Sequence, residues 1–462
     1  MKRILMLLAV ALVTPAVAHT TTATANAEYQ AGLAAYHRGD YQQALADFRQ
    51  LAARGDADAE TNLGAMYYKG QGVPQDYAGA LKWFRLAAAQ GDAVAESNLG
   101  VMYKDGLGVP QNYAEALKWS RLAAAQGDAV AESNLGAMYY KGQGVPQDYA
   151  GALKWFRLAA AQGDADAETN LGVMYKDGLG IPQNYAEALK WSRFAAAQGN
   201  AVAESNLGGM YFSGQGIPQN YAEALKWSRL AAAQGDAVAE GNLGVLNAKG
   251  LGVPQDYAGA LKWLRLAAAQ GYAGAETNLG VMYAKGQGVP QDYAEALKWY
   301  RLAAAQGDAD AEYNLGVMYA KSQGVPQNYA EALKWSRLAA TQGYAAAEYN
   351  LGVMYFSGQG VPQNYAEALK WFRLAAAQGY AGAENNLGWM YANGRGVPQN
   401  YAEALKWYLI AKATMSATSR NYAKVSNNVK QLAAMMTSAQ IAQAKQEASA
   451  WYAAHEHAGH VP

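Results

Sequence analysis

From Gly55 onward the chain repeats itself every 36 residues, and a period of that length constrains a fold more than any local pattern does. The unit reads Gly-Asp-Ala-x-Ala-Glu-x-Asn-Leu-Gly-x-Met-Tyr, then Gly-x-Gly-Val-Pro-Gln, then Tyr-Ala-x-Ala-Leu-Lys-Trp-x-Arg-Leu-Ala-Ala-Ala-Gln. Copies begin at Gly55, Gly91, Gly127, Gly163, Gly199, Gly235, Gly271, Gly307, Gly343 and Gly379. So short a unit cannot bury an apolar face alone, and neighbouring units must stack to form a continuous core. Residues 55–126 and 127–198 differ at only six of 72 positions, so the array grew by duplication of a two-repeat block. Most of the 49 glycines fall in the columns that begin at Gly55, Gly64, Gly70 and Gly72.

Each copy reads as two helices, A and B. Asp56 is placed to cap helix A, and Ala59, Leu63, Met66 and Tyr67 then fall on one helical face. Gly70, Gly72 and Pro74 break that helix. Asp76 caps helix B, whose apolar stripe is read as Ala80, Trp83 and Ala87 and whose end is set by Gly91. In the next copy Asn112 and Glu115 have the spacing of a capping box. Gly64, inside helix A, suits a close approach by a neighbouring helix. Glu60, Lys82 and Arg85 recur at a fixed period and suggest solvated ion pairs between repeats.

The first eighteen residues have a cationic start (Lys2, Arg3), an apolar run from Ile4 to Val13, Pro15, and small residues at Ala16 and Ala18. That is the anatomy of a secretory signal peptide cleaved after Ala18, with an apolar run too short to span a membrane. The expected product is exported, most simply to the periplasm, with no stable membrane insertion. There is no cysteine, which excludes disulfides, thiolate metal sites and cysteine nucleophiles. Basic and acidic residues number 37 each, without the cationic excess of a nucleic-acid binder.

The repeat resembles the Sel-one-like repeat, the longer-looped relative of the tetratricopeptide repeat. The resemblance is carried by Ala59-x3-Leu63-Gly64-x2-Tyr67, Gly70-x-Gly72-Val73-x2-Asp76, Ala80-x2-Trp83 and Ala87-Ala88-x2-Gly91. Leu246 and Asn247 replace the usual Met and Tyr in the sixth copy, and Ser322 replaces a loop glycine in the eighth, so both copies are expected to be locally looser. The resemblance implies an all-α fold, a right-handed α-solenoid of antiparallel helix pairs. The chain then divides into a leader (1–18), a short linker (19–27), a tetratricopeptide-like unit (28–54), ten Sel-one-like repeats (55–414) and a helical cap and tail (415–462). In that last segment two helices are expected, over Ser419–Met436 and Ala439–His455, with Thr437 and Gln440 spaced as a capping box.

Four helix A columns vary between otherwise near-identical copies, and their spacing puts them on one face. They start at Asp58, Thr61, Ala65 and Tyr68, and the resemblance implies that this face lines a concave groove that holds ligands. The groove candidates include Tyr68, Lys104, Tyr140, Lys176 and Phe212 and, in the more aromatic C-terminal half, Tyr313, Tyr349, Phe356, Asn385 and Trp389. Beside them runs an asparagine column of Asn62, Asn98, Asn134, Asn170, Asn206, Asn242, Asn278, Asn314, Asn350 and Asn386. Carboxamides could hydrogen-bond the main chain of an extended peptide, or could tie adjacent helices together.

Catalysis finds little support. The five histidines, His19, His37, His455, His457 and His460, lie outside the ten long repeats, and there is no nucleophile elbow, phosphate loop or dinucleotide fingerprint. His455, His457 and His460 end the chain, where a frayed tail is expected rather than a metal site. The expectation is a non-enzymatic scaffold for a protein or peptide partner, with no cofactor. Two rivals are a β-lactam-binding or hydrolysing enzyme, as the resemblance to cysteine-rich secreted relatives implies, and a cell-wall glycan-binding module. The chain has none of those relatives' cysteines.

Overall fold

The computed structural model describes residues 23–419 and 421–455, so the expected leader and His19, His457 and His460 lie outside the described residues. Twenty-four α-helices and no strand occur among the described residues. They fall into two units, one up to Asp236 and one from Ala237 onward. Each is a stack of antiparallel helix pairs, which makes both α-solenoids.

The first unit opens with α1 (Ala23–His37) and α2 (Tyr41–Ala52), joined by residues 38–40. Each long repeat then contributes a helix A such as α3 (Ala57–Lys69) and a helix B such as α4 (Tyr77–Ala89). Asp56 Oδ1 accepts the Ala59 N–H at 2.8 Å, and Asp76 Oδ1 accepts that of Gly79 at 3.0 Å, so both helices start where the sequence places them. Gly70 closes α3 in the left-handed conformation at φ 69°, and Ser322 adopts that conformation at φ 57° in its own copy. The hydroxyl of Ser322 donates to the Val325 carbonyl at 3.2 Å. The sixth copy keeps its helix A as well, α13 (Ala237–Lys249), with Leu246 fully buried in the methionine's place.

Helices A and B of one repeat meet at the glycine inside helix A. A Cβ on Gly64 would lie 2.6 Å from the Phe84 ring, and one on Gly136 would lie 2.5 Å from that of Phe156. Helix B faces this glycine with phenylalanine, serine, leucine or tyrosine in different copies, and none leaves room for a Cβ. The loop glycine Gly72 makes a second close approach, between repeats: its Cβ position lies 2.5 Å from the Tyr41 carbonyl oxygen, at φ 73°.

Three readings are corrected. The buried helix B residues are Ala80, Leu81, Phe84, Ala87 and Ala88, while Trp83 is half-buried at the core's margin under the Lys82 ammonium, 5.8 Å from its ring. Glu60 is buried and accepts from Gln90 Nε2 of the same repeat at 2.8 Å, and Arg85 donates to the Tyr103 hydroxyl at 2.7 Å. These are charge-to-neutral hydrogen bonds repeated along both units, not ion pairs between repeats, because burial leaves the carboxylate within reach of an amide and of no cation. Finally, the Asn112 N–H donates to the Tyr103 carbonyl, so Glu115 has nothing to reach back to and turns toward Lys118, 3.8 Å away. Thr437 and Gln440, by contrast, form the reciprocal box at the start of α24 (Ser438–His455), which follows α23 (Tyr422–Ala433).

Candidate functional site

The helix A face that varies between copies is built differently in the two units. In the first unit most of it is filled, with open space at Gly209. Thr61 is fully buried and donates to Asp92 Oδ1 of the next repeat at 3.0 Å, while Asp92 also caps its own helix at Ala95. Burial raises the Asp92 carboxyl above its ordinary value against these hydrogen bonds. Tyr68 is buried with its ring edge-on to Tyr77 at 5.2 Å, and the Tyr140–Tyr149 and Phe212–Tyr221 pairs repeat the arrangement at 5.4 and 6.0 Å. Lys104 donates to Asn134 Oδ1 at 2.8 Å, and desolvation holds its ammonium below the usual lysine range. Lys176 pairs with Asp177 at 3.6 Å.

The second unit leaves more of this face in reach. Tyr313 packs against Tyr344 at 5.2 Å, and the Tyr344 hydroxyl donates to Asp310 Oδ1 at 2.6 Å. Tyr349 packs against Tyr380 at 4.9 Å, and Phe356 against Trp389 at 5.2 Å. Trp389 is 38% exposed, and the other rings of this run are half-buried. Asn385 Nδ2 reaches Asn386 Oδ1 at 3.4 Å.

The asparagine column serves its own helices first. The amides of Asn98, Asn170, Asn278 and Asn314 each donate to the carbonyl four residues back, at 2.7–2.9 Å. Asn62 does the same and also donates to the Tyr29 hydroxyl at 2.8 Å, fully buried, with its own oxygen left without a partner. Asn206 and Asn350 are half-buried on the same face. What this column can still offer a ligand is mainly carbonyl oxygens.

The array of one helix pair, repeated with these caps and this loop, matches a known family model. The Sel1 repeat matches ten times, over residues 57–92, 93–128, 129–164, 165–200, 201–236, 237–272, 273–308, 309–344, 345–380 and 381–413. The chain belongs to the Sel1 repeat family. Proteins built from Sel1 repeats serve generally as protein-interaction scaffolds rather than enzymes. Among solved structures, the chain is similar to c5321, a protective antigen of uropathogenic Escherichia coli strains with an SLR fold, at 36% identity over 94% of this chain and 93% of that one, with a TM-score of 0.69. A Sel1 repeat protein from Oxalobacter formigenes is 35% identical over 53% of this chain and 96% of its own length, with a TM-score of 0.47. No curated protein matches the chain.

Sequence reasoning missed Tyr344 and Tyr380, half of each tyrosine pair. They stand at the helix A cap position that holds Asp92 in the first unit, and neither makes a side-chain cap bond. The signal was present as covariation inside one chain: residues 31 apart are Thr61 and Asp92 or Thr277 and Asp308 in some copies, and Tyr313 and Tyr344 or Tyr349 and Tyr380 in others. Among the described residues no group of three metal-ligating side chains occurs, and no helix is long and apolar enough to cross a membrane.

Proposed function

We propose that this Sel1 repeat protein is an exported, non-enzymatic scaffold that holds peptide segments or envelope proteins on the helix A face of its second unit. The aromatic run there carries the reading. Its last two copies give up the aspartate cap, a feature that contributes about 1 kcal/mol to a helix, and place tyrosine rings there instead. Rigid aromatic side chains are frequent anchors of protein interfaces. Export is supported by the leader anatomy of residues 1–18 and by the similarity to a protein described as a protective antigen.

The test is a capture experiment on envelope extracts with the intact chain and with a Trp389→Ala, Tyr349→Ala variant whose melting is checked first. The reading expects a partner retained by the former and depleted with the latter. Equal recovery by both would remove the aromatic face from the account. Steady turnover of a chromogenic β-lactam above a buffer blank would replace the scaffold with an enzyme.

A further inference from the structure

The last two helix A positions hold Tyr68-Lys69, Lys104-Asp105, Tyr140-Lys141, Lys176-Asp177 and Phe212-Ser213 in the first unit. The next three copies carry Ala248-Lys249, Ala284-Lys285 and Ala320-Lys321. Two properties change together. The first position loses its bulk, and the second, where lysine and aspartate had alternated, becomes cationic three times in succession. A lysine at a helix C-terminus suits the helix dipole, yet Asp105 and Asp177 occupy the same place, so the dipole does not dictate the choice.

The lost bulk leaves a cavity of about 150 Å3 between α13 and α15 (Ala273–Lys285), bounded by Val245, Ala248, Leu264 and Met282 with Lys249 and Lys285 among its walls. Lys249, Lys285 and Lys321 are exposed, and none takes part in an ion pair among the described residues.

We propose that this stretch binds an acidic segment of a protein partner in extended form, with carboxylates on the three lysines and one aliphatic side chain in the cavity. The inference rests on the scaffold reading and names the partner's chemistry. An extended chain rises about 3.3 Å per residue, so acidic residues at every third position recur about every 10 Å, the upper end of the distance between packed helices. The desolvated aliphatic group anchors the segment, and the charges select it and speed its arrival.

The probe is a fluorescein-labelled dodecapeptide of repeated Glu-Glu-Leu, titrated with the full chain at low and at physiological salt. Two variants use residues that the array already carries at these positions, which protects the fold: Lys249→Asp, Lys285→Asp, Lys321→Asp together, and Ala248→Phe alone. The expected result is saturable binding that weakens with salt, falls about tenfold or more with either variant, and is absent for a Gln-Gln-Leu peptide. Unchanged affinity in the lysine variant, or equal binding of the neutral peptide, overturns the proposal. So does competition by polyphosphate combined with indifference to Ala248→Phe, since that pattern is charge attraction without a seat. If an envelope partner stays bound to the lysine variant but is lost with Trp389→Ala, the scaffold reading stands and this inference falls.

Discussion

The pair Thr61–Asp92 in the first unit and the pair Tyr313–Tyr344 in the second occupy equivalent places, yet they do opposite things. Thr61 and Asp92 form a buried hydrogen bond at 3.0 Å, and the same aspartate caps its helix, so both side chains are spent on holding the stack together. Tyr313 and Tyr344 leave the helix without a side-chain cap and put two rings on its surface. The contact of helix A with helix B is the same in both units. The difference teaches that packing and surface occupy largely separate columns of one repeat: the glycine inside helix A is held constant in all ten copies, while the outer columns of helix A change between copies, as does the helix B side chain that faces the glycine.

If that separation is right, the largest effect comes from the constant columns and is equal in the two units. Gly136→Ala puts a Cβ against Phe156, and Gly352→Ala does the same against Phe372. Overpacking of this kind costs about 1–3 kcal/mol, so each variant is expected to lower the denaturation midpoint while partner capture per folded molecule is unchanged. A variant that melts normally in one unit only would show that the two units do not share the contact.

The second effect concerns a buried carboxylate column that is well served everywhere but at its end. Glu60, Glu96, Glu132, Glu168 and Glu204 each accept a glutamine amide at 2.8–2.9 Å. Glu384, fully buried, has only the Thr414 hydroxyl at 3.3 Å and one oxygen with no partner. Burial pushes its carboxyl up to about 7, and raises the others in the same direction against their glutamine bonds. A folded-state pKa above the unfolded one means that the folded chain holds the proton more tightly. That contribution is complete below the ordinary carboxylate range and is lost as pH rises through about 7. Melting is therefore expected to fall by several degrees between about pH 5 and about pH 8, and Glu384→Gln is expected to flatten the slope more than Glu60→Gln does. Equal flattening by the two would mean that the missing glutamine at Thr414 does not matter.

A smaller effect is expected from converting one region into the other. Tyr313→Thr with Tyr344→Asp rebuilds the Thr61–Asp92 pair, which the second unit also carries one repeat earlier as Thr277–Asp308. A restored cap is worth about 1 kcal/mol and a lost aromatic pair about 0.5–1.5 kcal/mol, so the two nearly cancel in stability. Chemical denaturation is expected to move little while partner capture falls. A large stability loss with capture intact would assign the rings to the core.

Most of the fold was legible because repetition supplied internal controls. A residue present ten times, such as Gly64 and its counterparts, declares a packing demand without any homologue. Caps at Asp56 and Asp76 were legible because capping is local in sequence. The Glu60–Gln90 and Arg85–Tyr103 bonds were not, because they join residues 30 and 18 apart and depend on which groups the packing buries. In the site, the variable columns were visible, but whether a variable side chain is buried, as Thr61 is, or exposed, as Trp389 is, depends on what its neighbours in adjacent repeats leave open.

The smallest expected effect on stability, and the sharpest test of the column that both units share, is Asn314→Ala with Asn350→Ala. Asn62 is locked between α1 and α3 through the Tyr29 hydroxyl, so at the start of the first unit the carboxamide is part of the stack. The Asn314 amide donates only to Asp310 of its own helix, at 2.8 Å, and Asn350 is half-buried. Losing a hydrogen bond that water can replace costs a fraction of the 0.5–1.5 kcal/mol of an ordinary one, so the melting temperature is expected to stay within a few degrees. Partner capture is expected to weaken, because a main-chain N–H of an extended partner loses the carbonyl oxygen that receives it. A marked drop in melting temperature with capture unchanged would show that this column is structural in both units and would leave the tyrosine and tryptophan columns alone as the binding face.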